Sequence, residues 1–195
     1  MPRNTDFGNK TDSDLVQLAL KKPDNFNYIV GRYEKKIARY IKRIAGLDNE
    51  DTEDLLQDIF IKVYQNLNGF DPSLKFSSWI YRIAHNEIIS DWRRRKAKPQ
   101  FVRGDEIDGF LNSISSEFDI QRDLENKDFR GDIKKILAEI DLKYREVLIL
   151  KFLEEKSYEE ISDILKKPIG TIATLINRAK KQFKKEATKL SINFL

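Results

Sequence analysis

Apolar residues recur at spacings of three and four along most of the chain and alternate almost nowhere, so the pattern predicts helices and an all-α fold. Asp12 or Ser13 is placed to cap a first helix through Leu15 to Leu20, which Pro23 breaks. A long second helix carries the stripe Ile29, Val30, Tyr33, Ile37, Tyr40, Ile41 and Ile44 and stops near Gly46. A third begins around Asp51 with Leu55, Leu56, Ile59, Phe60, Val63 and Leu67 on its apolar side, and the turn Asn68-Gly69-Phe70-Asp71-Pro72 ends it. A fourth runs from about Phe76 to Lys98 with Trp79, Ile80, Ile83, Ala84 and Trp92 inward. Four such helices close a small bundle over residues 12–99.

Residues 100–128 lack a sustained period, and their glycines and serines make them a flexible linker. Beyond it, residues 129–187 form a second helical module. Ile133, Ile136, Leu137 and Ile140 mark one helix, and Tyr144, Val147, Leu148 and Phe152 mark another. Ser157 then caps a short helix with Tyr158, Ile161, Ile164 and Leu165 inward, and Glu160, three residues on, completes a capping box. Lys166-Lys167-Pro168 breaks that helix. The last helix buries Ile169, Ile172, Ile176, Ala179 and Phe183, and its opposite face reads Thr171, Thr174, Arg178, Lys181 and Lys185. The pair is a helix-turn-helix. Hydroxyls at the start of its second helix and cations further along suit the DNA major groove, where early residues meet base edges and later ones meet phosphate.

Charge sharpens this division. The net charge is only +4, but it is spread as +4 over residues 1–99, −5 over 100–128 and +5 over 129–195. The chain is therefore two cationic modules joined by an acidic connector. In the first module, Arg93, Arg94, Arg95, Lys96 and Lys98 follow Trp79, Tyr81, Arg82 and Asn86. Cations at a helix C-terminus stabilise the helix whatever their function. Interleaved with aromatics they also suit separated strands, since a base stacked on a ring gains about 1–3 kcal/mol. Trp79 fits either this face or the core. On the third helix Asp54, Gln57, Asp58 and Ile61 share one face opposite the apolar side. That face suits a basic partner; it also reads as a solvated acidic helix start.

Four stretches together resemble the extracytoplasmic-function (ECF) subfamily of sigma-70 factors of bacterial RNA polymerase. They are Asp51 to Tyr64, Phe76 to Asn86 with Trp92 to Lys96, Lys143 to Leu148, and Ser157 to Ile161 with Gly170 to Ile172. The resemblance implies a four-helix region 2 and a helix-turn-helix region 4. It implies core polymerase binding through Asp54, Gln57, Asp58 and Ile61, against a coiled coil of the largest subunit. It implies that the loop from Asn68 to Lys75 cradles a flipped −10 base, with the melted −10 strand and duplex edge met by Lys75, Ser78, Trp79, Arg82, Asn86, Arg93, Arg94, Arg95 and Lys96. Duplex −35 DNA would be met by Ser157, Thr171, Thr174, Arg178 and Lys181. An anti-sigma protein is an implied partner. The absence of cysteine fits a reducing compartment, and with no secretory apolar run visible the expected location is the cytoplasm. The recognition helix departs from the pattern, since Ala173-Thr174-Leu175 stands where a basic and polar run is usual, so phosphate contacts and DNA shape would carry more of the recognition.

The linker fits the same implication. Its 29 residues span about 100 Å fully extended and about 30 Å as a relaxed coil. Promoter elements roughly 25 base steps apart lie about 85 Å apart at about 3.4 Å per step. Something must hold the linker stretched, and the resemblance implies a basic polymerase channel in which Asp105, Glu106, Asp108, Glu117, Asp119 and Asp123 mimic RNA phosphates; a merely soluble tether is the alternative.

Catalysis finds little purchase. The single histidine, His85, allows no multi-histidine metal site or His-based triad, cysteine is absent, and no glycine-rich phosphate loop is present. No catalytic residue, cofactor or metal is expected. No run approaches the roughly 18 apolar residues of a membrane span, so no membrane insertion is expected. Two other readings remain open: a dimeric repressor or activator binding DNA without polymerase, and a helical adaptor that uses the acidic third helix and never touches DNA.

Overall fold

Thr11 starts the first helix by accepting a hydrogen bond from the Asp14 backbone N–H while the Asp14 carboxylate accepts one from the Thr11 N–H. This reciprocal box places the cap at Thr11, one residue before Asp12 and two before Ser13, the expected caps. The computed structural model describes residues 10–97, 136–137 and 139–189. The acidic linker, Ile133 and the side chains of Lys96 and Lys98 lie outside the described residues.

The N-terminal module contains α1 (Asp12–Lys21), α2 (Phe26–Ala45), α3 (Asn49–Asn66) and α4 (Phe76–Ala97). Gly46 ends α2 in the left-handed conformation, φ 68°, which a glycine adopts without steric cost. Asp48 caps α3 by accepting from the Asp51 N–H. The second and third helices bury the predicted stripes, with Val30 half-buried, while Trp92 and Ile83 are only half-buried on α4. Phe70, Phe76 and Trp79 pack ring against ring with centroids 5.2–5.4 Å apart, closing the bundle under the α3–α4 turn.

The C-terminal module is α5 (Leu142–Leu148), a widened π-type turn (Ile149–Leu153), α6 (Tyr158–Leu165) and α7 (Ile169–Lys189). Ile136, Leu137 and Ile140 are buried with it. Two positions of the expected stripes are not inside: Phe152 is 51% exposed and Ile169 is 48% exposed. The π-type turn explains Phe152, because its extra residue rotates the following side chains out of helical phase. Ile169 stands at the first turn of α7, before that helix reaches the core. Among the described residues there is no strand, and no helix is long and apolar enough to cross a membrane. The two modules touch chiefly where α4 packs on α6, with a smaller contact between α2 and α5.

Candidate polymerase and nucleic-acid interfaces

On α3, Asp54, Gln57 and Asp58 are exposed, and Ile61 is 54% exposed beside them. The burial of Leu55, Leu56, Ile59 and Phe60 turns this face outward. It borders a cleft of about 590 Å³ between α2 and α3, lined by Phe26, Val30, Leu56, Phe60 and Tyr64, with Glu34 at its edge. Phe26 stacks edge-on against Tyr64 at 5.2 Å, which fixes the cleft wall. An apolar floor ringed by carboxylates and amides is a surface for an amphipathic, basic element. Tyr64 and Phe26 belong to neither predicted face, because Tyr64 falls between the two faces of α3 and Phe26 lies on another helix.

The −10 set divides three ways. Ser78 and Trp79 are buried, at 2% and 6% exposure, so their bulk belongs to the core. An edge of Trp79 still reaches a hollow of about 280 Å³ shared with Lys62, Asn66, Gly69, Ile83, Asn86 and Glu87, directly beneath the α3–α4 loop. Asn86 is exposed there, and Lys62 pairs with Glu87 at 2.6 Å across its rim. The loop itself is fixed by Asp71, whose carboxylate accepts from the Ser73 N–H at 2.9 Å, a bond that holds this carboxyl below its usual range.

The cationic run is differently organised from what its sequence implies. Buried Asp91 accepts from Arg94 and from Arg95, both at 2.6 Å, and Arg95 also grips Asp51 of α3 at 2.6 Å and 3.1 Å. Those carboxylates hold the Arg95 guanidinium firmly charged. Arg95 thus ties α4 to the start of α3, whereas Arg93 and Arg94 remain exposed. Asp91 escaped notice, although its spacing of three and four from the two arginines is the signal that finds it.

Lys75 and Arg82 face the other module. Arg82 donates to Asp163 of α6 at 2.8 Å, and Lys75 approaches Glu160 at 3.6 Å. Nothing in the sequence pairs these residues, because the two partners lie 81 positions apart for Arg82 and Asp163.

The helix-turn-helix forms as its spacing predicts. Ser157 accepts from the Glu160 N–H at 3.2 Å, and Glu160 accepts from the Ser157 N–H at 2.9 Å. Lys166 takes the left-handed conformation at φ 52°, and Ser162 donates to the Lys167 carbonyl at 2.6 Å, which fixes the turn. Thr171, Thr174, Arg178 and Lys181 are all exposed along one side of α7. The Ser157 hydroxyl is occupied as a cap, and Thr174 donates to the Gly170 carbonyl at 2.9 Å. Among the described residues no group of three or more histidine, cysteine or carboxylate side chains could hold a metal ion.

Comparison with known proteins matches both helical modules. Residues 29–98 match the family model for Sigma-70 region 2, and residues 130–183 match Sigma-70, region 4. The chain is 34% identical over 173 residues to the ECF RNA polymerase sigma factor SigW of Bacillus subtilis, covering 86% of this chain and 91% of that one. It is 29% identical to the ECF RNA polymerase sigma-E factor of Escherichia coli K12, covering 87% and 91%. In fold it resembles CnrH, solved with the cytosolic domain of CnrY, at TM-score 0.65 and 22% identity over 89% of this chain and 95% of CnrH. It also resembles RpoE of Bartonella quintana, solved with the anti-sigma factor NepR, at TM-score 0.61 and 22% identity, covering 84% and 97%. With both regions in order along one chain, and a relative this similar over nearly its whole length, the protein belongs to the ECF subfamily of the sigma-70 family of RNA polymerase sigma factors.

Proposed function

We propose that this sigma factor binds core RNA polymerase through the α3 face, reads −35 duplex through α7, and nucleates melting at the −10 element through α4 and the loop before it. Residues 12–99 serve as the polymerase-binding and melting module, 100–128 as the acidic connector, and 129–187 as the −35 module. The observation that carries this reading is the separation of three exposed chemistries on one chain. Acidic and apolar groups mark α3, the exposed arginines Arg93 and Arg94 mark the end of α4, and hydroxyls with cations mark α7. Ile61 and the cleft beside it supply desolvated area, while Asp54 and Asp58 steer a basic partner. Catalysis then belongs to the polymerase. The hollow beneath the α3–α4 loop has amide groups from Asn66 and Asn86 and an indole edge, which suit the hydrogen-bonding edge and the face of one unstacked base. Likeness to sigma factors solved with anti-sigma partners supports such a partner here too.

The test is affinity for purified bacterial core polymerase. Asp58→Arg is expected to weaken it at least tenfold, and Thr171→Ala is expected to leave it unchanged. Equal affinity for Asp58→Arg and the parent chain would remove α3 from the polymerase interface.

A further inference from the structure

Burial of Ile172, Ile176 and Ala179, each 0% exposed, fixes which side of α7 points away from the core. Gly170, Thr174, Asn177, Arg178 and Lys181 recur on that outer side at spacings of three and four, and all five are exposed. Ala173 and Leu175, on its flanks, are half-buried and bring no polar group. The Thr174 hydroxyl donates to the Gly170 carbonyl at 2.9 Å. A threonine tied back to its own helix has spent its only donor and is held in one rotamer, which leaves its methyl as the group it offers a partner. Gly170, one turn earlier, leaves open space where a Cβ would stand, so a base edge reaches that methyl unobstructed. Asn177 follows Thr174 by three residues, and among the described residues nothing holds its amide. That amide sets an acceptor beside a donor, the arrangement that matches N6–H and N7 on the major-groove edge of adenine.

We propose that Asn177 and Thr174 are the base readers of α7: Asn177 takes an adenine by its N6 amine and N7, and Thr174 sets its methyl against the methyl of a thymine. This inference rests on the proposed −35 role of α7. Arg178 and Lys181, on the same side, hold phosphates and fix the register without reading sequence. Three residues of helix rise about 4.5 Å and one base step about 3.4 Å, so the two contacts fall on the same or adjacent base pairs. The −35 element of this chain therefore carries an adenine and a thymine side by side or paired, read by one amide and one methyl.

The test uses polymerase reconstituted from bacterial core enzyme and this chain, bound to promoter duplexes selected from a genomic pool, with single atoms of the upstream element then changed. 7-Deazaadenine removes N7, uracil removes the thymine methyl, and neither alters base pairing. The parent is expected to lose about tenfold in affinity with 7-deazaadenine at one adenine. It should lose about fourfold with uracil at a thymine in the same or the adjacent pair. Asn177→Ala should bind about tenfold more weakly and be indifferent to 7-deazaadenine at that adenine. Thr174→Ser keeps the hydroxyl and loses the methyl, so it should become indifferent to uracil. Thr174→Val keeps the methyl and loses the hydroxyl, so the uracil penalty should persist. The assignment is overturned by a Thr174→Val chain indifferent to uracil, by an Asn177→Ala chain still penalised by 7-deazaadenine, or by sensitive bases that lie outside the same or adjacent pairs. A parent insensitive to every replacement while it still selects an upstream element would overturn it too. Selection of no upstream element at all would instead take α7 off the −35 DNA, and the base readers with it.

Discussion

His85 and Glu146 show how burial sets opposing demands within a short reach. His85 lies 3.2 Å from the Tyr40 hydroxyl, and burial, aided by the Lys167 charge, lowers it to about 4. Burial raises Glu146 to about 7, against the pull of Lys167, Arg145 and Arg93. As pH falls below 6.5 the unfolded chain protonates its histidine before the folded one, so His85 removes stability on acidification. Glu146 acts in the opposite sense: its folded form holds a proton that the unfolded form releases, so its contribution is present at low pH and lost as pH rises from 4.5 toward 7. Each amounts to about 3 kcal/mol across its window, at about 1.4 kcal/mol per pH unit. Urea midpoints are therefore expected to stay nearly level between pH 6.5 and pH 5 in the parent chain. Over the same interval Glu146→Gln should lose stability on acidification and His85→Gln should gain it; parallel curves for all three would contradict the assignment. At this scale the sequence was partly legible. The lone histidine is excluded from a triad or multi-histidine site by its sequence, but whether it lies on a helix surface or packs inside is not legible there, and Glu146, between two residues of an apolar stripe, gives no sign that the fold buries it. Arg95 illustrates the same limit. In sequence it is one of several cations, while in the fold Asp51, 44 positions away, makes it a brace. Arg95→Ala is expected to cost about 1–3 kcal/mol of stability measured by urea unfolding. Arg93→Ala with Arg94→Ala should cost little stability but make strand binding less steeply salt-dependent. The reverse pattern would exchange their roles.

At the level of elements, helices were legible wherever a cap and a stripe agreed. Ser157 and Glu160 stand at the spacing of a capping box ahead of Ile161, Ile164 and Leu165, and the box forms there. Thr11 and Asp14 form the same box, but a run of three capping candidates, Thr11, Asp12 and Ser13, obscured which one begins the helix. Phe152 was lost for a different reason, since a π-type turn breaks the period on which every stripe depends. The cap yields a prediction about roles. Ser157→Ala should lower stability by about 1 kcal/mol, while Ser157→Asp should keep the cap. If the helix start also faces −35 DNA, the aspartate will weaken duplex binding by repelling phosphate although the fold is intact. Equal duplex affinity for Ser157→Asp and the parent would confine Ser157 to capping. The α7 face is the clearest gain from periodicity, because all four of its predicted contact residues emerge exposed on one side.

For the whole molecule, the division into two helical modules was readable from charge and period, and the family from the order of four motifs. How the modules meet was not. Arg43 and Glu154 are separated by 111 positions, and no local pattern pairs a buried arginine on one amphipathic helix with a carboxylate in a distant turn. On the proposed function, 29 residues that reach about 100 Å when extended are long enough for the modules to sit on separate promoter elements, and short enough as a relaxed coil for them to meet. The central claim is that this chain specifies where a polymerase starts and cannot do so alone. It is tested most directly by transcription in vitro with bacterial core polymerase on a library of genomic promoters, reading the start sites. The account predicts a defined set of starts that share two upstream sequence elements and vanish when either the chain or the core enzyme is left out. Transcription whose start sites are unchanged by the chain, or selection of the same sites by the chain without polymerase, would contradict it.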